Sequence, residues 1–284
     1  MNVIASRSGA SVIVDSRNRR LAEDAALVPG VVAAVDAAGK VLVARFETKP
    51  EFIDRDDVVR AIYQNDEASL SVLRPALEAL RPDAGWAEDE LESGSLPAGE
   101  WWVTDPVEGN VNHIHGMTDW GVTATLVRDN APVLTAIHLP LAGDTYTAVH
   151  GGGAFLNGRP ISSSRKTRLN AALAGTGQAS PRETSETFGK MSRSVDAMLN
   201  AALVLRVSVP ATLQLIQVAA GRMDVFWQHS AVRSGLVSGA LLVAESGGAI
   251  SDLHGDAWTL ESIDFLATAP GLHDEAVAVL APLA

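Results

Sequence analysis

Glu100-Trp101-Trp102-Val103-Thr104-Asp105-Pro106-Val107-Glu108-Gly109-Asn110-Val111-Asn112 decides how this chain is read. The run is apolar up to Thr104 and then delivers two carboxylates, Asp105 and Glu108, around a proline. A glycine and an asparagine follow, and Asn110 can cap a helix. The pattern predicts a strand that ends in an acidic turn and opens a short helix. Two carboxylates at such a turn are hard oxygen ligands of the kind Mg²⁺ takes. The N–H groups of Gly109 and Asn110 at a helix start suit a phosphate. An acidic surface turn before a helix is the alternative reading of the same residues.

Moving outward, Gly151-Gly152-Gly153-Ala154-Phe155-Leu156-Asn157-Gly158-Arg159-Pro160-Ile161 carries a tight-turn signal at Asn157-Gly158. Trp120 to Val127 and Pro132 to His138 alternate as strands, with Arg128-Asp129-Asn130 as the turn, and Thr145 to Val149 reads as another strand. Farther on stand Val218-Ala219-Ala220-Gly221-Arg222-Met223-Asp224-Val225 and Glu245-Ser246-Gly247-Gly248.

Together these segments resemble the inositol monophosphatase superfamily, the Mg²⁺-dependent, Li⁺-sensitive sugar-phosphate phosphatases. The opening stretch is similar to the family signature D-P-(hydrophobic)-D-G-T-x-N, and the glycine-rich segment to its G-x-G-A-F-x-N-G-x-x-I loop. The resemblance covers roughly Leu27 to the end. It implies an α+β and α/β architecture, a layered α-β-α-β-α sandwich in one compact unit. An N-terminal extension would occupy residues 1–21, an α+β half with the metal-site motifs 22–169, and an α/β half 170–284. It also implies a homodimer.

Composition sets bounds. The chain has 284 residues and a formal net charge of −12, so nucleic acid is not an expected partner. There are no cysteines, which excludes disulfides and thiolate metal sites and makes a cytoplasmic home the simplest inference. No apolar run reads as long enough to span a membrane, and no membrane partner is expected. In residues 1–21, Ser11 to Val14 reads as a short strand and Arg17 to Arg20 as a basic turn. Leu27 to Phe46 has helical periodicity, and Asp66 is placed to cap a helix over Glu67 to Leu80.

Carried over by the resemblance, Asp105 is the ligand that bridges two ions and the Val107 carbonyl is a backbone ligand. Glu88 is the best register for the family's acidic loop ligand, although Asp89, Glu90 and Glu92 crowd the choice. Asp66 matches an aspartate that orients the attacking water. The departures cluster at the same place. The family's V-T-E-A-D segment is here Ile62-Tyr63-Gln64-Asn65-Asp66. Glu108 stands where the family has aspartate, Asn110 where it has threonine, and His113 where it has an aromatic. Val209 and Pro210 replace a glycine and a serine that touch substrate. Gly235 replaces the aspartate that completes the second metal site, Gln228 a glutamate that contacts a substrate hydroxyl, and His229 is its neighbour.

Glutamate is longer than aspartate by a methylene, and Mg²⁺ demands near-octahedral geometry. An amide holds a water but cannot relay a proton as a hydroxyl does. The expected metal is therefore a weakly held single Mg²⁺ on Glu88, Asp105 and the Val107 carbonyl, with Glu108 nearby. Three functional readings follow. The first is a repurposed enzyme doing cyclisation, isomerisation or elimination on a small metabolite, in a biosynthetic setting. Its acids and bases would come from Asp66, Glu88, Asp105, Glu108 and His113, with Asn110 beside them in the catalytic centre as a holder of water, and with Gly109, Asn110, Val209, Pro210, Gln228 and His229 around the substrate. The second is a weakened Mg²⁺-dependent phosphomonoesterase, and the third a non-catalytic binding or scaffold protein.

Overall fold

The computed structural model describes residues 7–48, 50–88, 94–180, 183–230 and 232–284, with side chains from Asn18 onward. Two helices, α1 (Arg7–Arg45) and α2 (Arg55–Leu80), make the first layer. A seven-stranded sheet lies beneath them in simple chain order: β1 (Gly85–Trp86), β2 (Glu100–Glu108), β3 (Gly121–Arg128), β4 (Ala131–Leu139), β5 (Asp144–Val149), β6 (Gly153–Leu156) and β7 (Arg159–Pro160). Among the described residues of this sheet, β1 and β2 run parallel and every other neighbouring pair runs antiparallel. The short α3 (Asn110–Ile114) follows β2 directly. The second half supplies β8 (Leu173–Thr176), α4 (Ser185–Ala201), β9 (Val204–Val207), α5 (Ala211–Ala219), β10 (Val225–Gln228), α6 (Arg233–Glu245), β11 (Ala249–Ser251), β12 (Phe265–Thr268) and α7 (His273–Leu280). Its five strands order as β11-β12-β10-β8-β9.

Three of the four apolar clusters among the described residues account for most of the packing between these layers. Val31, Val35, Ala38 and Leu42 of α1 and Leu73 and Leu77 of α2 pack on Trp102, Val122, Ala124 and Leu134 of the first sheet. Leu215 and Ile216 of α5 and Leu236, Ala240 and Leu242 of α6 fill the gap between Ile137 and Tyr146 of the first sheet and Phe226 and Phe265 of the second. Met198 of α4 and Ala276 and Leu280 of α7 cover the outer face at Val225, Trp227 and Leu266. Each large apolar side chain so buried is worth roughly 1.5–3 kcal/mol. The order is helices, sheet, helices, sheet, helices, the five-layer sandwich expected from the sequence. The β3–β4 connection holds Asp129 at φ 48° and Asn130 at φ 67°, the left-handed pair that a two-residue hairpin turn requires.

Three local expectations are corrected. The strand at Ser11–Val14 and the turn at Arg17–Arg20 are instead part of α1, and the boundary expected at Leu21 falls inside that helix. Extending a helix already nucleated against the sheet costs far less than starting a new element, so the β-branched run is carried along. The helix expected to start after Asp66 starts at Arg55, where Asp54 caps it by accepting from the Asp57 N–H at 3.0 Å, and Asp66 lies in its middle. Asn110 is the first residue of α3, and Gly109 occupies the cap position without a side-chain bond. A fourth concerns length. Asn18–Arg45 within α1 is long and apolar enough, by composition, to cross a membrane. One face of that segment, from Val31 to Leu42, is buried on the first sheet.

Candidate active site

The site begins where β2 leaves the sheet. The β2–β3 register shifts between Asp105 and Glu108, a bulge that re-aims the side chains on either side. Pro106 has no N–H to give the ladder, and its carbonyl accepts instead from the Ser69 hydroxyl of α2 at 2.7 Å. The Asp105 N–H donates to Thr123 Oγ1 at 3.0 Å, and Asp105 Oδ1 accepts from the Val107 N–H at 3.0 Å. Enclosure by protein pushes the Asp105 carboxyl well above the usual carboxylate range; the charges of Glu108 and Asp66 push the same way, against the Val107 N–H.

Glu108 closes β2 and is buried. Its Oε2 accepts from the Thr212 hydroxyl of α5, and that hydroxyl oxygen lies 3.0 Å from the Gly235 carbonyl of α6. One threonine therefore ties the acidic turn of the first half to two helices of the second. Gly109 follows at φ 80°, and a Cβ there would come within 2.8 Å of the Asp119 carbonyl and 3.1 Å of Pro210, so only glycine fits.

Asn110 faces α2. Its Nδ2 donates to Asp66 Oδ1 at 2.7 Å and to the Ile62 carbonyl at 3.0 Å, while its Oδ1 accepts from Asn65 Nδ2 at 3.1 Å. Burial raises the Asp66 carboxyl to about 6, with the Asn110 N–H opposing. The structure thus joins Asp66 to Asn110 directly and brings both within electrostatic reach of Asp105.

His113 is buried between Phe46 and Trp120, its ring 5.4 Å and 4.6 Å from theirs, both edge-on. Its Nε2 meets the Leu42 carbonyl at 3.0 Å and its Nδ1 meets Asn65 Nδ2 at 3.0 Å. Burial lowers its pKa, and Arg45 adds to that, so the ring is neutral near pH 7. Both ring nitrogens are occupied by the protein, which leaves His113 holding structure where an acid–base group was expected.

Glu88 does not converge on Asp105 and Glu108. It lies on the surface, gripped by Arg74 through both carboxylate oxygens at 3.0 and 2.9 Å. Arg74 in turn sits over the Trp86 ring. A guanidinium fork matches a carboxylate at both oxygens, and that pairing holds Glu88 outward. Asp89, Glu90 and Glu92 fall outside the described residues. Among the described residues no three Asp, Glu or His side chains gather closely enough to hold a metal ion. Among the described residues, with Asp105 Oδ1 on Val107, Glu108 Oε2 on Thr212 and no carboxylate at Gly235, the donor set does not fit a pair of Mg²⁺ ions. A side chain at Gly235 would meet nothing within 4 Å, so space for the missing carboxylate remains.

On the substrate side, Asn112 Nδ2 holds the Asp119 and Val209 carbonyls at 2.8 and 2.9 Å. Val209 and Pro210 border a cleft of about 310 Å³ that also takes in Asp119, Leu139, Leu141 and Arg206. Gln228, at the end of β10, spends its Nε2 on the Ser230 carbonyl. His229 turns toward α4, beside Thr187 and Lys190, and burial lowers its pKa to about 4. Strand alternation sends it to the α4 face with Trp227, whose Nε1 donates to Ser194.

A family model described as "Inositol monophosphatase family" matches residues 24–282. The chain belongs to the inositol monophosphatase family. It is 30% identical over 239 residues to an inositol-1-monophosphatase of Rhizobium meliloti, covering 84% of this chain and 89% of the relative. It is 34% identical over 229 residues to the Nus factor SuhB of Xylella fastidiosa, covering 79% and 81%. The crystal structure of extragenic suppressor protein suhB from Bartonella henselae superposes with a TM-score of 0.76 at 23% identity, covering 90% of this chain and 98% of that one. Inositol monophosphatase from Anabaena gives 0.75 at 24%, covering 90% and 96%.

The sequence reading left Asn65, Arg45 and Thr212 without a role. Asn65 carried a signal: an amide stands where the family pattern has alanine, next to Asp66, and its partner Asn110 is a departure too. Thr212 offered none, because its contact to Glu108 spans both halves of the fold.

Proposed function

We propose that this family member has exchanged a two-ion phosphatase centre for an acid–base site that acts on a small metabolite, by cyclisation, isomerisation or elimination in a biosynthetic setting. One observation carries this reading: Asp66, Asp105 and Glu108 each take their hydrogen bonds from the protein itself, and the Asp66 carboxyl titrates at about 6. A group poised near the working pH is the most effective proton acceptor. Ionised Asp66 accepts a proton from the substrate, and Asp105, whose hold on its proton is strengthened by enclosure and by its charged neighbours, donates one. Opposite charge states on neighbouring carboxyls allow one to act as base and the other as acid in a single turnover.

The second reading, a weakened Mg²⁺-dependent phosphomonoesterase, draws on the same crowding. The charges of Glu108 and Asp66 both raise the Asp105 pKa, and a cation would relieve them. It would hold one ion weakly on Asp105, Glu108 and the Val107 carbonyl. Phosphate release from inositol monophosphate and from a small generic phosphomonoester, with and without Mg²⁺ and Li⁺, separates the two. The acid–base reading expects no Mg²⁺-dependent release above background; robust Li⁺-sensitive hydrolysis by the wild type would sink it.

A homodimer belongs to the same proposal. Among the described residues the β9 edge of the second sheet has no strand partner, with Leu203, Val204 and Val207 exposed along it, and a bare apolar edge calls for cover. A monomeric mass by light scattering would refute this. The cysteine-free composition supports a cytoplasmic setting.

A further inference from the structure

We infer that Arg45 and Asn65 are positioning residues, which fix the direction of the hydrogen bond that Asn110 gives to Asp66 and the tautomer of His113. The consequence for catalysis rests on Asp66 being the site's base; the hydrogen-bond directions do not.

Three ends of the network allow no choice. Arg45 Nε can only donate, and it reaches Asn65 Oδ1 at 2.8 Å. The Leu42 carbonyl can only accept, so His113 Nε2 must carry the ring proton, and the Nδ1 of the neutral ring must accept. The Ile62 carbonyl can only accept, so the amide nitrogen of Asn110 must point to it. Asn65 stands between these ends, buried, with one acceptor and one NH₂ group. With its oxygen turned to Arg45, its two N–H groups face His113 Nδ1 at 3.0 Å and Asn110 Oδ1 at 3.1 Å. Flipping Asn65 would set its oxygen against two acceptors and its nitrogen against a guanidinium, so every contact would become repulsive.

The direction then passes on. Asn110, its oxygen held by Asn65, has one N–H for Ile62 and one for Asp66 Oδ1 at 2.7 Å. Both donors of Asn110 are spent. It cannot present an N–H to a water or substrate without releasing Asp66, and a hydroxyl's proton relay is absent. Asp66 is left with Oδ1 pinned, and its other oxygen has no protein partner among the described residues. The relay thus orients the carboxylate toward one free acceptor atom. Asn65, Asn110 and His113, the departures from the family pattern at these positions, are each other's partners.

Nitrogen-15 NMR of the histidine ring tests the relay in the full-length protein. Wild type should show His113 as a neutral Nε2–H tautomer, with slowly exchanging side-chain amide protons on Asn65 and Asn110. Asn65→Asp keeps the shape and removes both donors. Its carboxylate should draw a second proton onto the ring, bringing the two nitrogen shifts together, and the Asn110 amide protons should lose protection. Arg45 is exposed, so its variants should fold. Arg45→Met should loosen the Asn110 amide protons, and Arg45→Lys, still a pure donor, should restore their protection. An Nδ1–H tautomer in wild type, unchanged ring shifts in Asn65→Asp, or unchanged protection in Arg45→Met would each overturn the inference. If the relay is seen but turnover is indifferent to Asp66→Asn, the base assignment fails and the relay stands.

Discussion

Asp105 and Asp224 are both aspartates enclosed at the ends of strands, yet one is satisfied and the other is not. Asp224 accepts from the Leu173 N–H at 2.7 Å, from Lys166 Nζ at 2.7 Å and from the Ser164 hydroxyl at 2.6 Å. A cation and two neutral donors answer its charge, and the turn before β8 is stapled to the turn before β10. Asp105 has the Val107 N–H at 3.0 Å and otherwise faces the charges of Glu108 and Asp66. The first carboxylate lowers the energy of the fold. The second raises it, and is tolerated where chemistry would use a proton held against its preference.

The largest effect expected from this contrast is on stability. Asp224→Ala leaves the Leu173 N–H and the Ser164 hydroxyl without their acceptor, while the half-exposed Lys166 ammonium can turn to water, and should cost about 2–3 kcal/mol in urea unfolding. Asp105→Asn should be neutral or stabilising by about 1 kcal/mol at pH 7, because the amide keeps the shape of the protonated carboxyl and can place no charge beside Glu108 and Asp66. Equal losses in the two variants would break the contrast. Next comes chemistry. Glu108→Asp, Asn110→Thr and Gly235→Asp made together should raise Mg²⁺-dependent phosphate release by about 10²-fold or more, while each alone does little. Asn110→Thr by itself should also lower stability by about 1–2 kcal/mol, since Asn65 and the Ile62 carbonyl lose their partner.

A pH series sharpens the contrast further. The Asp66 pKa is raised on folding, from 3.8 to about 6, so the folded state holds that proton more tightly than the unfolded state. The stability it contributes is fully present below the unfolded value and is lost as pH rises through about 6. Wild type should therefore lose about 2 kcal/mol relative to Asp66→Asn between about pH 4 and pH 6. Stability of wild type relative to Asp66→Asn that rose with pH would show Asp66 stabilised as an anion. The smallest effect belongs to Glu88. Its pairing with Arg74 is on the surface, so Glu88→Gln should cost less than about 1 kcal/mol. It should also leave Mn²⁺ affinity unchanged; a drop in that affinity would return Glu88 to the site as a ligand.

The sequence alone determined the architecture. The acidic turn at Asp105–Glu108, the Asn157-Gly158 turn and the alternation of β3, β4 and β5 are local patterns, and local patterns are legible because backbone geometry and turn chemistry act over a few residues. The departures at Glu108, Asn110, Val209, Pro210 and Gly235 are what the family resemblance implies when the chain is set against its motifs. What tertiary structure decided is where the side chains of distant elements meet. Glu88 was placed in the site by spacing and is held outside it by Arg74, a partner on another element. His113 was read as an acid–base group, but its environment is built by Phe46, Leu42, Asn65 and Trp120, from three separate stretches. The start of α2 at Asp54 was missed because a helix forms where its whole length packs, not only where the best cap stands. A residue's charge state, ligand duty and hydrogen-bond direction depend on atoms within a few ångströms, and those atoms come from residues 14, 45 or 104 positions away. Only the folded chain brings them together.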